Sequence, residues 1–552
     1  MSRSSRSRGL TLAALAALPL VVLGVFFVLP VAGMLGEGFR VDGRWDVGAV
    51  LEVLARPRVH RVVWFTVWSS LLGTAGSVLL GVPVAHLLHR REFPGRRLLR
   101  ALLLVPFVLP TVVVGVAFRE LIGESGPLGF LGLDGSAAAI VAGLVFFNVA
   151  VVIRAVGAAW ESLDPRPAEA AAALGAAPGQ VLRTVTLPAL RPAIVSAASV
   201  VFLFCATAFG VVLTLGGLRY SSVETEIYLL TTNLLDLQAA AALSILQLLA
   251  ITALLLLAGR LRRVADPTLS RSPRPAGRVP RPGPGDWPGI AATVLVLLLV
   301  GMPLAALVAG SMQVGDGWGL ANYRALATTG SDNALLVPVT TALATSLRTA
   351  VDATWMSLLL GGLVAVVVTR RSQTRAERRA RTVLDGLFML PLGVSAVTLG
   401  FGLLITLDHP PVDFRDSPLL VPLAQALVAL PLVVRTIVPV LAGVDDRQRQ
   451  AAASLGAGAL RTFATVDVPL LSRPLAAAAG FAFAVSLGEF GATSFLARED
   501  RPTLPVVIFA LIGHPGKMNY GMALAASVVL AAATALVVLA VERLRLPTSG
   551  VL

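Results

Sequence analysis

Apolar runs about as long as a bilayer is thick, separated by short polar stretches, recur along the whole chain. A helix needs roughly 20 apolar residues to cross the hydrocarbon core, and it satisfies its own backbone polar groups while doing so. On that measure the pattern predicts about twelve spans. Six lie near 10–35, 62–88, 98–121, 136–157, 190–214 and 237–259. Six more lie near 288–312, 339–368, 383–407, 417–441, 472–496 and 519–541. The basic stretch Met1–Arg8 precedes the first run, which is too long for the apolar region of a signal peptide and lacks a clean cleavage site, so it is expected to stay as a span.

The two sets of six are copies of one another. A shift of 281 residues, the separation of Glu169 and Gln450, also aligns Arg154 with Arg435, Gly175 with Gly456 and Pro188 with Pro469. It aligns Phe209-Gly210 with Phe490-Gly491 and Ile227-Tyr228 with Ile508-Phe509. Chance likeness between Ala- and Leu-rich helices would not keep Gly, Pro and Arg in register. The fold class expected is an all-α polytopic membrane protein made of two parallel six-helix repeats. The first half is placed at 1–259 and the second at 288–552; the Pro- and Arg-rich stretch between them, 260–287, cannot build a core and reads as a cytosolic linker.

Composition agrees with the pattern: 56% of residues are hydrophobic and 14% charged, too few charges to cover a soluble protein of this size. The net charge of +14 does not point to nucleic acid, because the basic residues sit in short clusters between apolar runs. Sorting them by loop puts about 30 on one side and about 13 on the other, which predicts a plasma- or inner-membrane protein with both termini cytoplasmic. The single cysteine, Cys205, leaves no internal disulfide, and His86 with His89 is the only close histidine pair, at the end of a predicted span, so no metal site is expected.

Two polar segments carry the strongest functional signal. One runs from Glu169 to Pro188 (EAAAALGAAPGQVLRTVTLP), the other from Gln450 to Pro469 (QAAASLGAGALRTFATVDVP). Each reads as an Ala-rich helix, a Gly break, a second short amphipathic helix and a Pro that opens the next span. The pattern Glu169-Ala170-Ala171, Gly175, Val185, Leu187 and Pro188 resembles the signature loop of binding-protein-dependent ABC importer permeases. The second copy matches at Ala451, Ala452, Gly456, Val466, Val468 and Pro469, with Gln450 in place of the acid. The resemblance extends over nearly the whole chain. Segments Val62–Leu72, Arg91–Arg97, Val145–Arg154 and Ser486–Ala497 are similar to the fused permeases for thiamine and ferric iron. The first half, through Phe209–Gly217 and Glu224–Leu230, is more similar to the thiamine type.

That resemblance implies the type I importer permease fold, with coupling loops at about 158–189 and 442–470 that dock on two ATP-binding cassette subunits. It also implies an extracytoplasmic solute-binding protein and transport by alternating access. Thiamine or ferric iron is the expected solute, with sulfate or phosphonate as alternatives. Twelve spans in two parallel halves also suit a gradient-driven secondary transporter, a different class. The sole lysine, Lys517, lies in no Gly-rich phosphate loop, so ATP hydrolysis is expected from a separate subunit. No catalytic residue and no cofactor are expected in this chain. Glu489 falls inside a predicted span, where an ionised carboxylate costs several kcal/mol unless paired or hydrated. It is either a residue of the translocation pathway, with Phe490 and Phe209, or a structural carboxylate at a helix end.

Overall fold

The computed structural model describes residues 14–41, 44–103, 105–217, 219–264, 281–315, 317–369, 375–389, 394–409 and 412–544. Among the described residues, ten helices are long and apolar enough to cross a membrane. They are α1 (Ala14–Phe39), α2 (Pro57–Arg90), α3 (Ala137–Ser162), α4 (Pro178–Ala206) and α5 (Leu237–Leu257). The others are α6 (Trp287–Met312), α7 (Val339–Thr369), α8 (Leu420–Ala442), α9 (Phe463–Leu487) and α10 (Lys517–Val541). Most of the linker predicted at 260–287 lies outside the described residues.

The third span of the first half differs from the expectation. Residues 98–121 do not form one straight helix: Arg96–Val108 and Thr111–Ile122 meet at 104°. Pro110 stands at the bend as the residue before the second helix, and a proline disfavours helical geometry in its predecessor while removing one amide donor. In the second half the span expected at 383–407 is likewise divided between Arg375–Met389 and Ala396–Thr406. Its residues 390–393, including the equivalent Pro391, lie outside the described set. The spans expected at 190–214 and 472–496 also change. α4 and α9 begin earlier and end at Ala206 and Leu487, and short helices follow at Gly210–Leu215 and Thr493–Leu496.

Two compact units form, and neither follows the chain continuously. One holds residues 1–50, 227–245 and 319–552; the other holds 51–226 and 246–318. In the second of these, α2 and α3 pack along their lengths, α4 lies against both, and α6 packs on α2 and on Thr111–Ile122. Lipid tails are as apolar as leucine, so helices associate through close packing of small residues. Ser70, Gly73, Ser77 and Gly81 supply such a stripe on α2, and Val152 of α3 fills the space above Gly81. Ser70 and Ser77 return their hydroxyls to the carbonyls four residues back, at 2.5 and 2.7 Å.

In the other unit α7, α8 and α9 make the equivalent three-helix core, α10 packs on α9, and α1 packs on Ala396–Thr406. Gly361 faces Val433 there as Gly81 faces Val152 in the first copy. A second repeated contact joins α2 and α7 to the starts of the helices at Val223 and Leu504. Thr66 Oγ1 accepts the amide of Val223 at 3.0 Å, and Ser346 Oγ accepts the amide of Leu504 at 2.6 Å. Each hydroxyl satisfies a first-turn donor that helix geometry leaves without a partner. The duplication is therefore visible in hydrogen bonding as well as in sequence.

The adjacent glycines of α7 separate packing from propensity. A Cβ on Gly361 would come within 2.6 Å of the buried Val433 side chain, whereas one on Gly362 meets nothing within 4 Å. Gly361→Ala is expected to destabilise by about 1–3 kcal/mol through overpacking. Gly362→Ala should be neutral or stabilising by up to about 1 kcal/mol. Thermal unfolding of the purified chain in detergent distinguishes the two.

Candidate coupling loops and pathway residues

The two signature segments adopt one geometry. In the first, the helix Arg166–Ala173 ends at Leu174, and Gly175 takes a left-handed φ of 88°. The amide of Gly175 bonds the Ala172 carbonyl at 2.9 Å and that of Ala176 bonds Ala171 at 3.1 Å. In the second, the helix Asp446–Ser454 ends at Leu455 and Gly456 has φ 81°. Gly456 bonds Ala453 and Ala457 bonds Ala452, both at 3.0 Å. These paired bonds satisfy the carbonyls orphaned at a helix C-terminus, and the left-handed residue that closes them carries no Cβ penalty when it is glycine.

Beyond the turn, the structure departs from the pattern expected of the sequence. Instead of a second short helix and a fresh start at proline, the chain runs into α4 and α9 through five-residue π-helical turns, Leu182–Thr186 and Phe463–Asp467. Pro188 and Pro469 each sit two residues beyond the π-turn. A proline ring inside a helix collides with the carbonyl four residues back and leaves it without its donor, and a wider turn relieves both. The same succession, Gly24–Val28 followed by Pro30, occurs in α1.

The residues named from the sequence are placed alike in the two copies. Glu169 and Ala170 are exposed with Ala171 half-buried; Gln450 and Ala451 are exposed with Ala452 half-buried. Leu187 is half-buried while Val468 is exposed, and Pro188 and Pro469 are exposed. The structure adds two residues that the sequence reading passed over. Leu174 is 90% exposed and Leu455 89%, each just before the left-handed glycine. Their shared 281-residue spacing was the signal that could have found them.

The loops are anchored differently. In the second, Arg449 donates from Nε to Asp467 Oδ1 at 3.0 Å, tying the exposed helix to the π-turn at the foot of α9. Ala168 and Thr186 occupy those positions in the first copy. There the foot of the loop is held from α3: Glu161 Oε1 lies 3.0 Å from both His89 Nδ1 and an Arg100 guanidinium nitrogen. Arg96 and Arg100 also donate to the Leu88 carbonyl at the end of α2. Next to this group Asp286 accepts from Arg91 at 2.8 Å and from the Gly283 amide at 2.8 Å, with His86 at 3.1 Å. Burial alone would raise the Asp286 carboxyl, but the Gly283 amide, Arg91 and His86 outweigh it and hold it below the usual aspartate value.

The Glu489 carboxylate is directed at the backbone of the next turn. It lies just past α9, 7% exposed, and its two carboxylate oxygens accept the amides of Ala492 at 2.7 Å and Thr493 at 3.0 Å. It thus caps the helix Thr493–Leu496. The cap lies against Ala396–Thr406: a Cβ on Gly400 would sit 2.7 Å from Ala492 Cα. Phe490 and Phe209 are both buried, and Phe490 packs on Phe509 at 5.4 Å between ring centroids. At this end of the unit a cavity of about 680 Å³ has an apolar floor that includes Leu403, Leu407 and Phe495, and a charged rim where Arg498 bonds Asp416 and Asp500.

A family model described as "Binding-protein-dependent transport system inner membrane component" matches residues 77–271 and again 357–545. The chain is 28% identical over 474 residues to the thiamine transport system permease protein ThiP of Brucella suis biovar 1, covering 82% of each chain. It is 29% identical over 480 residues to ThiP of Escherichia coli strain K12, covering 82% of this chain and 83% of that one. A solved bacterial alginate ABC transporter in complex with a pentasaccharide-bound periplasmic protein is similar at 17% identity and a TM-score of 0.42, covering 48% of this chain and 98% of that chain.

Removing Arg449 leaves the nearly buried Asp467 carboxylate without that guanidinium. Arg449→Gln should destabilise the second loop by about 1–3 kcal/mol. Hydrogen exchange should rise in 446–467 and stay at the parent level in 166–186.

Proposed function

This chain belongs to the family of binding-protein-dependent transport system inner membrane components, and we propose that its particular task is to carry thiamine into the cytoplasm on behalf of an ATP-driven importer. It is a multi-pass inner-membrane transport subunit, and its system includes separate ATP-hydrolysing and solute-binding proteins. The reading is carried by one observation: two exposed Gly-closed turns of the same hydrogen-bonded form, 281 residues apart, each leading without interruption into a spanning helix.

Two ATPase subunits dock, one on each turn. Leu174 and Leu455 enter the apolar part of the partner groove, beside Glu169-Ala170-Ala171 in one copy and Gln450-Ala451-Ala452 in the other. Small alanine side chains let a partner backbone approach closely, and a projecting leucine desolvated in a pocket has the character of an interface anchor. Gly175 and Gly456 set the angle of the turn, and Leu187-Pro188 and Val468-Pro469 pass its displacement into α4 and α9. The distribution of basic residues among the loops supports cytoplasmic termini. The chain hydrolyses nothing and holds no cofactor of its own. The thiamine reading is supported by the names of its relatives and by the length over which they align.

The test replaces Gly175 and Gly456 by Val. Only the left-handed φ opposes the change, since nothing lies within 4 Å of either Cβ position; a β-branched residue there is a backbone outlier costing about 1–3 kcal/mol. Co-purification of the ATPase is expected to fall about tenfold or more, a loss of about 1.4 kcal/mol in affinity, with the melting temperature of the membrane core little changed. ATP-dependent uptake of radiolabelled thiamine into proteoliposomes should fall in parallel. Uptake against a gradient by the parent chain without any ATPase would overturn the assignment in favour of a secondary carrier.

A further inference from the structure

Four aromatic rings from three separate stretches of chain meet within one unit. Tyr228 stands edge-on to Phe495, 5.5 Å between centroids, and to Phe509, 6.4 Å. Phe509 in turn packs at a tilt on Phe490, 5.4 Å away. Tyr228 and Phe509 are the same position in the two copies, separated by 281 residues. Equivalent residues of two copies related by an approximate twofold touch only where they lie beside the axis. In transporters built from repeats, the route runs through the repeat interface, and access alternates about it. The contact between Tyr228 and Phe509 therefore obstructs the route.

Phe490 connects that contact to the second coupling loop. α9 runs unbroken from the π-turn Phe463–Asp467 to Leu487, a length of about 37 Å. Beyond it the chain turns through Gly488, and the shape of this break is held by the two amides that Glu489 accepts. Thr493 adds a hydroxyl bond back to the Glu489 carbonyl at 2.9 Å. A displacement at the foot of α9 thus reaches the Phe490 ring through a helix and a capped turn. The first copy has Ala208 where Glu489 stands, so its own break lacks this carboxylate.

We infer that Tyr228, Phe490 and Phe509 form the seal that closes the translocation route, and that Glu489 is the positioning residue tying the seal to the second coupling loop. This rests on the permease reading above and specifies where that permease is gated. Nucleotide-driven movement of the loop draws Phe490 from Phe509 and parts the rings. Glu489 fixes the geometry of the turn and makes no contact with solute.

The test uses the chain assembled with its ATPase in lipid nanodiscs. Cys205, the only cysteine, is replaced by Ser, and Tyr228→Cys is combined with Phe509→Cys. Oxidative cross-linking is expected without nucleotide, and its yield should fall about fivefold or more when the complex is trapped with ATP and vanadate. Adding Glu489→Gln, whose amide nitrogen cannot accept a hydrogen bond, should preserve the cross-link and abolish its nucleotide dependence, which a purely stabilising carboxylate would leave in place. Equal yields in the two states, or no cross-link in either, overturn the seal; unchanged nucleotide dependence in Glu489→Gln overturns the tie. As a cysteine-free measure, Phe509→Ala should raise passive entry of radiolabelled thiamine into vesicles about tenfold, and parent-level entry overturns the seal. ATPase co-purification and vanadate trapping of the parent chain are scored in the same preparation, and their loss counts against the permease reading alone.

Discussion

Backbone groups in hydrocarbon have no water to bond, so wherever a membrane helix stops, the protein itself must supply partners for the amides and carbonyls released. That constraint organises this molecule. Several of its apolar helices stop and restart, and at four of these starts a side chain meets the released amides. Thr66 and Ser346 receive the first amides of Val223 and Leu504. Ser395 receives Thr398 at the start of Ala396–Thr406. Glu489 receives two amides at once. In the two signature loops the turn closes on its own backbone and needs only a glycine. The geometry of these irregular stretches is specified rather than loose.

Apolar length and the glycine closures of the loops were legible in the sequence because both are local. A run of twenty apolar residues and a left-handed glycine each follow from a few neighbouring residues. The breaks were not legible for a related reason. Pro110 lies within an apolar run, and membrane helices tolerate proline when neighbours satisfy the freed groups, so composition cannot distinguish a kink from a 104° bend. The same tolerance hid the early starts of α4 and α9, because a π-turn carries the helix past Pro188 and Pro469 where a clean start was expected. Leu174 and Leu455 were passed over because an apolar residue at the end of an Ala-rich helix reads as packing until its exposure is seen. For Glu489 the cost of its charge was evident, but the amides that meet it belong to the next turn of chain.

Identical backbone geometry in the two copies coexists with different chemistry. The acid at Glu169 has become Gln450, and the pair Arg449 and Asp467 occupies positions held by Ala168 and Thr186. Glu161, which gathers His89 and Arg100 at the foot of the first loop, is Ala442 in the second. Backbone form is what the duplication retained, because it is set by Gly and Pro. Side-chain anchoring was free to diverge, since any ion pair of suitable reach can steady a loop.

Fusion of two copies in one polypeptide makes that divergence usable. In a homodimer of identical subunits a carboxylate placed at one break must appear at both, and its desolvation cost is incurred twice. Here Glu489 is present once, with Ala208 at the equivalent position of the first copy, so a carboxyl cap follows one spanning helix while its counterpart has none. A stiff helix transmits a displacement applied at its foot; a turn without the cap can absorb part of it. Two loops of equal backbone form can therefore lead into helices that end differently, and the difference traces to a single carboxyl group satisfied by two backbone amides.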